Sequence, residues 1–487
     1  MIELTQKKIG KLIGLKKSEF NNLIKSKQIM LQKPRLIPIY KLGDEMALTS
    51  VLLSSLRLIK VFKDHILSDA KMQKGGTLYV YTEVVFSDFP DSRIDGLILV
   101  VKSGTIRDAA IIEVKNGNSE LERGQIERYQ QVAKKYAIPA FITISNQFVS
   151  DSTQSPINVK NVNGVDMYHF SWTYLLTIAQ VLIFEKDTKI EDMDQVEIMR
   201  EVIEYLEWDK SGVFGVNQMK AGWVDVVEKI IGRASLKPTD NNVYDAALSW
   251  HQEERDMALL LSRKLGVLVQ SGAVKFKGKL DERLKSDCKN LVTKEQLEST
   301  LRIKGAVSDI NITAFFANRI VEMSVALKAP EDKTLKGQLG WLKRQLDNCI
   351  KKNEKLLTAL AKEIVIEASI KNSSVSERFS IQEFDEASER LKGKEIREFK
   401  VIYLKDFGKK FSSPRKFVEI IEQMLKDYYM GIVQHLNKWE PSAPKMVNKA
   451  EETENESFID AVNEGDVMRS EVIDDSPQAR KNVVEVE

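Results

Sequence analysis

Apolar residues change their spacing several times along the chain, and each change marks an element. Ile9, Leu12 and Ile13, then Phe20, Leu23 and Ile24, predict two short helices within 1–31, with Gly14 between them and a cap at Ser18. After an extended stretch at 34–38, Leu48, Val51, Leu52, Ser55, Leu56, Ile59, Phe62 and Ile66 recur at helical spacing, predicting one helix over 43–67. Strands are predicted at 77–86, 92–101 and 108–114, with a hairpin across Lys102-Ser103-Gly104 joining the last two. Ser119 is the expected cap of a helix carrying Leu121, Ile126, Tyr129, Val132, Ala133 and Tyr136. A buried strand at 138–145, a further strand at 167–172 and an apolar helix at 174–184 follow. Strands alternating with helices in this way predict a three-layer α/β core.

Beyond residue 186 the pattern turns mainly helical. Helices are predicted at 202–208, 223–231, 244–250 and 257–268, and strands at 273–276 and from 312 through Val325. A long helix is predicted at 335–371, whose stripe of Leu339, Leu342, Leu346, Ile350, Leu356, Leu357 and Leu360 reads as core packing, and a last one at 417–439. The expected division is a basic N-terminal helical element at 1–38, an α/β domain at 39–186, an α+β domain at 187–330, a helical domain at 331–441 and an acidic disordered tail at 442–487.

Charge refines this picture. The 487 residues carry a net +2, but 451–487 hold twelve Asp or Glu against three Lys or Arg, which leaves about +11 on the rest of the chain. A basic body suits a polyanionic ligand. Near the N-terminus Lys7, Lys8, Lys11, Lys16, Lys17, Lys25 and Lys27 outnumber Glu3 and Glu19, so the expected helix-turn-helix could grip a duplex by its phosphates or serve in packing. Lys409, Lys410, Arg415 and Lys416 flank Phe411 and Phe417, a solvated basic surface or a track for nucleic acid. No apolar run approaches a membrane span or a signal peptide, so a cytoplasmic protein without a membrane partner is expected. Cys288 and Cys349 are far apart and read as inert thiols, His65, His169, His251 and His435 form no zinc motif, and there is no P-loop.

The chemistry concentrates between 92 and 147. Alternation along a strand puts Glu113 and Lys115 on one side of Val114, and the hairpin brings Asp95 beside them. Two carboxylates converging at a strand end offer hard oxygen ligands to Mg2+ or Mn2+, and a neighbouring lysine can orient water or offset phosphate charge. Glu83, in the preceding strand, reads as an outward-facing glutamate or an accessory ligand.

Asp95, the triplet Glu113-Val114-Lys115, and Gln125 with Tyr129 in a Gln-x-x-x-Tyr spacing together resemble the PD-(D/E)XK nuclease superfamily. The resemblance covers roughly 43–172 and departs from the name-giving motif in having Arg93-Ile94 before Asp95 rather than a proline. It implies a restriction endonuclease-like core with a mixed central sheet and Mg2+- or Mn2+-dependent hydrolysis of phosphodiesters, in DNA first, in a setting such as phage defence or repair. It further implies a metal site of Asp95, Glu113 and the Val114 carbonyl, joined by Glu45 from the first core helix, with Lys115 positioning the attacking water and Gln125 and Tyr129 contributing. Many such nucleases act as homodimers or with a partner protein. Two rivals stay open: a DNA-binding regulator on an inactive nuclease fold, and a nuclease directed at RNA, since a metal site reads phosphate and not the 2′-hydroxyl.

Overall fold

Alternating side chains at 77–114 find their partners in a twisted sheet, and helices cover both of its faces. The computed structural model describes residues 11–32, 44–149, 151–184, 190–272, 276 and 279–440. Its first half runs α1 (Lys17–Lys25), β1 (Ile29–Gln32), α2 (Glu45–Leu58), α3 (Lys60–Asp69), β2 (Thr77–Phe86), β3 (Arg93–Lys102), β4 (Thr105–Val114), α4 (Arg123–Lys135), β5 (Ala140–Ser145), β6 (Asp166–Ser171), α5 (Trp172–Phe184) and α6 (Met193–Glu207). The six strands form one sheet in sequence order. β1 to β4 pair antiparallel, while β5 and β6 continue parallel to β4. On one face Leu52, Leu56, Phe62, Leu175 and Met199 pack on Ile98, Val100 and Ile112. On the other, Phe20, Ile126 and Val132 pack on Leu97, Leu99 and Ile111. The result is a three-layer α/β arrangement, as the alternation predicted, and its central sheet is mixed.

Three local expectations are corrected here. The helix expected over 43–67 is two helices, because Ile59 is extended (φ −113°, ψ 103°) and fully buried; the amide of Lys60 bonds Gln195 Oε1 at 2.9 Å instead of the preceding turn. A break that keeps the apolar stripe in phase leaves no trace in periodicity. The cap expected at Ser119 lies four residues outside the helix: α4 begins after Glu122, and Ser119 donates its amide to Asn116 in a turn. Within the described residues the N-terminal pair of helices is a single helix and an edge strand. Around Gly14 (φ 93°) the backbone is tied to other elements by Leu12 N to Tyr136 O (2.7 Å), Gly14 N to Ile106 O (2.9 Å) and Ile106 N to Leu15 O (2.8 Å), and β1 pairs with β2. Residues 1–10, with Lys7 and Lys8, and the extended stretch expected at 34–38 lie outside the described residues, as does the acidic tail.

The second half is built on a sheet, where a mainly helical region was expected. Its elements are α7 (Ala221–Ile231), α8 (Asn241–Leu265), β7 (Gln270–Ser271), α9 (Leu280–Thr293), β8 (Gln296–Arg302), β9 (Ile310–Phe315), β10 (Ile320–Lys328), α10 (Leu335–Lys352), α11 (Glu354–Leu360), β11 (Ile364–Ile370), β12 (Ser376–Ser380), α12 (Phe384–Arg390), β13 (Ile396–Asp406) and α13 (Pro414–Gly431). The strands pair antiparallel throughout, in the order β12-β11-β13-β10-β9-β8-β7. The helix expected over 335–371 is two, α10 and α11, broken at Asn353 (φ −143°, ψ 55°) and ending at Leu360; Ile364, Ile366 and Ala368 then alternate with Val365, Glu367 and Ser369 in a strand. One sheet also runs through the boundary expected at 330, since β10 pairs with β13 from Ile320↔Asp406 to Lys328↔Glu398. The strand expected from 312 to Val325 is the β9–β10 hairpin, turning at Arg319 (φ 58°), and the helices expected at 244–250 and 257–268 are the single α8. Of the strand expected at 273–276, residues 273–275 lie outside the described residues.

Trp223 anchors this core, with Trp250, Phe316, Phe411 and Phe417 around it at ring-centroid distances of 4.5–6.1 Å. Phe411 and Phe417 are fully buried, so the aromatic half of the basic patch at 409–417 stacks on tryptophan and is closed to bases. Cys288 and Cys349 are free and buried, and burial pushes both thiols up to about 11. Among the described residues no helix is long and apolar enough to cross a membrane.

Candidate active site

Register decides the site. The β3–β4 hairpin turns through Ser103 and Gly104, both at positive φ (52° and 75°), as a type I′ turn requires. Counted straight back from the Lys102↔Thr105 pair, Asp95 would face Ile112. Arg107 instead bulges out between the Val101↔Ile106 and Val100↔Asp108 pairs, and the ladder continues to Gly96↔Ile112. That one-residue shift sets Asp95 opposite Glu113, on one face of the sheet. Gly96 occupies the other face, where a Cβ would sit 3.0 Å from Leu53 Cδ1 and 3.1 Å from Ile112 Cβ, so α2 rests directly on β3 here.

Four charged side chains converge at this end of the sheet. Lys115, just past β4, places Nζ 2.7 Å from Glu113 Oε1 and 3.7 Å from Glu45 Oε2. Glu45 is the first residue of α2, whose N-cap Asp44 accepts from the Met46 amide at 2.8 Å. Its other oxygen, Oε1, accepts from the Asn116 amide at 3.3 Å. Asp95 Oδ2 accepts from the Val114 amide at 2.7 Å. The backbone of Lys115 is held on both sides: its amide donates to Ile144 O (2.8 Å) and its carbonyl accepts from Trp172 Nε1 (2.9 Å).

Glu113 is fully buried and neither of its oxygens receives a hydrogen bond of good geometry; the ammonium of Lys115 is its compensation. Burial raises the proton affinity of Glu113, and the facing Asp95 raises it further. Asp95 is also raised, chiefly by burial, against the opposing pull of the Val114 amide and Lys115. Two carboxyls this close titrate as a pair that retains a proton where either alone would release it. For Lys115 burial works against the charge, but Glu113, Glu45 and Asp95 together hold its pKa above the ordinary lysine value. It is therefore a fixed cation at neutral pH.

Gln125 and Tyr129 flank the acids from α4. Gln125 Nε2 donates to the Tyr129 hydroxyl at 3.3 Å, and that hydroxyl donates to the carbonyl of Arg93. Burial, then the charge of Glu113, pushes Tyr129 up to about 12. Its proton is committed to the start of β3, so within this structure Tyr129 positions the strand that carries Asp95. Glu83, at positive φ (51°) in β2, occupies the position that faces Asp95 in the β2–β3 register, and its side chain pairs with Arg93 Nη1 at 3.3 Å.

Reading the sequence missed the residues that brace the site from behind. Asn116 Nδ2 reaches Ser211 O (2.6 Å), Asn146 Nδ2 reaches Gly212 O (2.7 Å), and the Phe214 amide donates to Asn146 Oδ1 (3.2 Å), so the segment after α6 is clipped to the carboxyl ends of β4 and β5. Trp172 had a signal, an aromatic at a strand-to-helix junction; Asn116 looked like an ordinary turn residue.

Among the described residues, no group of three or more His, Cys, Asp or Glu side chains is assembled to hold a metal ion. The acid pair nonetheless fits a divalent cation in its chemistry. Asp95 and Glu113 are hard oxygen donors facing each other, and the Lys115 ammonium is the partner of Glu113. Glu45 fits less well as a ligand, since one oxygen faces Lys115 and the other takes the Asn116 amide. No family model, curated protein sequence or solved structure matches the chain.

Proposed function

We propose that the chain is a divalent-metal-dependent nuclease of the PD-(D/E)XK kind that hydrolyses phosphodiester bonds in DNA, with Mg2+ or Mn2+ as cofactor. The observation that carries this reading is the bulged register that sets Asp95 opposite a fully buried Glu113, with Lys115 Nζ 2.7 Å from its Oε1. Asp95 and Glu113 would hold the cation, with help from the Val114 carbonyl. When bound, the cation supplies Lewis acidity: it makes water a nucleophile at neutral pH and offsets charge on the phosphate oxygens. Lys115, a fixed cation, orients water or a phosphate oxygen by hydrogen bonding and does not act as a base. Glu45 aims Lys115, and Tyr129, with Gln125, aims Asp95 by fixing the start of β3.

The test is cleavage of supercoiled plasmid, linear duplex, single-stranded DNA and RNA by wild type, Asp95→Ala and Lys115→Ala, in EDTA, Mg2+ or Mn2+. The expected result is metal-dependent cutting of a DNA substrate by wild type that both substitutions abolish. Cutting confined to RNA would move the substrate class. Duplex binding by all three proteins without cutting would overturn the nuclease and favour a regulator.

A further inference from the structure

The segment that leaves α6 is held by both halves of the molecule. Ser211, Gly212 and Phe214 bond Asn116 and Asn146 at the acid-site end of the mixed sheet. Two residues further on, the Val216 amide donates to Asp256 Oδ2 at 2.6 Å, the Met219 amide to Pro414 O at 3.2 Å and the Lys220 amide to Ser249 Oγ at 3.0 Å. Asp256 and Ser249 belong to α8, and Pro414 opens α13. From Ser211 to Val216 the chain can span at most about 18 Å, so this short strap has one end on the acid site and the other in the antiparallel half.

Two glycines let the strap lie flat on the side chains that hold it. Gly212 takes positive φ (79°), and a Cβ there would meet Asn116 Nδ2 at 2.6 Å; a Cβ at Gly215 would overlap Asp256 Oδ2. Asn116, Ser211 and Asp256 are all buried, so breaking either contact leaves a polar group without water to replace it. Asn116 also reaches into the site. Its amide donates to Glu45 Oε1 at 3.3 Å, and Glu45 Oε2 lies 3.7 Å from Lys115 Nζ. A shift of the strap therefore carries the Asn116 side chain with it and turns the following peptide plane, and the long Glu45–Lys115 pair loses its aim.

We infer that Asn116 and Asp256 are positioning residues: through the strap between them, the antiparallel half fixes the aim of Lys115 and Glu45 in the mixed-sheet half. The effect on catalysis rests on the nuclease reading, whereas the coupling between the two halves does not.

The experiment compares the full chain as wild type, Asp256→Ala, Asp256→Asn, Asn116→Ala and the double variant Asn116→Ala/Asp256→Ala. Leu346→Ala, buried on α10 and outside the strap's contacts, is the control for destabilisation alone. Amide hydrogen exchange in EDTA follows Lys115 and Asn116, and single-turnover cleavage with enzyme in saturating excess gives a rate constant independent of the active fraction. Asp256→Ala should speed exchange of both amides at least about tenfold and slow cleavage at least about tenfold. Asp256→Asn keeps an oxygen for the Val216 amide and should stay within about threefold of wild type in both readouts, as should Leu346→Ala. The double variant should cleave within about twofold of Asn116→Ala, because one chain of contacts is broken once. Should Asp256→Ala fail to fold, Gly215→Ala, whose methyl displaces the strap from Asp256, takes its place with losses of at least about fivefold. Unchanged exchange in Asp256→Ala, an equal loss in Asp256→Asn or in Leu346→Ala, or additive losses in the double variant would each overturn the inference. If wild type cuts no substrate, the nuclease reading fails and the exchange data alone decide the coupling.

Discussion

The two halves of the molecule bury acidic side chains in different ways. In the antiparallel half, α8 carries Glu253, Glu254 and Asp256, all buried. Glu254 is fully engaged, by Arg283 Nη2 at 2.6 Å and by the amides of Gly272 (2.9 Å) and Thr300 (3.0 Å), and Asp256 takes the Val216 amide at 2.6 Å. Glu253 has no donor; burial, then Glu422 and Asp256, pushes its carboxyl well above the usual range. In the mixed-sheet half Glu113 is just as buried, yet Asp95 faces it from the next strand and Lys115 bridges it to Glu45. Burial and raised proton affinity thus occur in both halves. What sets one apart is convergence of opposite charges from two strand ends and a helix start, with Lys115 and Glu45 reaching solvent at 15% and 33% exposure. A perturbed carboxyl alone is a weak guide to function, and its company is a stronger one.

Substituting one buried acid in each half puts that contrast at risk. Glu113→Gln should lower cleavage by about a thousandfold or more, because several kcal/mol of charge stabilisation depend on that carboxylate, while Glu253→Gln should leave the rate within about twofold. Single-turnover cleavage of the preferred substrate decides; a large loss from Glu253→Gln would dissolve the distinction.

Trp223→Ala probes the other side of the comparison. It removes the ring at the centre of the antiparallel core and the indole donor to Phe411 O at 2.8 Å. A loss of about 3–5 kcal/mol is expected by urea denaturation. If the transition of the mixed-sheet half, followed through Trp172, keeps its midpoint, the halves unfold separately; a common shift makes them one cooperative unit.

Acid titration sharpens the contrast further. Folding pushes Asp95 up to about 6 and Glu113 up to about 9, whereas the unfolded chain gives up these protons near pH 4. The folded state therefore binds more protons, so the pair's stability is intact below about pH 4 and is lost as pH rises through 6 toward 9. In EDTA, stability should fall as pH rises from 5 to 8, as the pair's share of the pH dependence, while Lys115, charged in both states over that range, adds no slope of its own. Denaturation midpoints of Glu113→Gln should show less of this slope, and millimolar Mg2+ should flatten it in wild type by replacing the proton.

Asp95, Glu113 and Lys115 were legible in the sequence because strand alternation and a short Ser-Gly turn are local facts. Their alignment was legible only by good fortune, since an unbroken ladder would have turned Asp95 away toward Ile112 and the bulge at Arg107 has no strong local mark. The same limit explains the misses. Ile59 breaks a helix without breaking its apolar stripe, because the replacement acceptor for Lys60 is Gln195, 135 residues away. Residues 364–370 sit beyond a leucine stripe and become strand because β12 and β13 flank them. Phe411 and Phe417 belonged in the sequence to a solvated basic surface or a nucleic-acid track, and Trp223 takes their faces instead. Each of these is a decision by a distant partner, which no window of sequence contains.

The smallest of the expected effects concerns Gly96, where the two layers of the site meet. Any side chain there faces Leu53 of α2 and Ile112 of β4, at 3.0 and 3.1 Å from the added carbon. Leu53 is fully buried and can yield only by a few tenths of an ångström, so α2 must lift slightly from β3. A cost of about 1 kcal/mol follows for Gly96→Ala, at the low end for overpacking. Glu45 rides on the first turn of α2 and contacts Lys115 at 3.7 Å, already a loose ion pair, so lifting the helix weakens its aim more than it weakens the fold. Gly96→Ala should therefore reduce cleavage roughly tenfold with metal affinity little changed, because Asp95 and Glu113 lie on the opposite face of the same strands. A variant that loses metal affinity in proportion to its rate would instead mean that the acid pair itself had moved, and that α2 serves the site as packing alone.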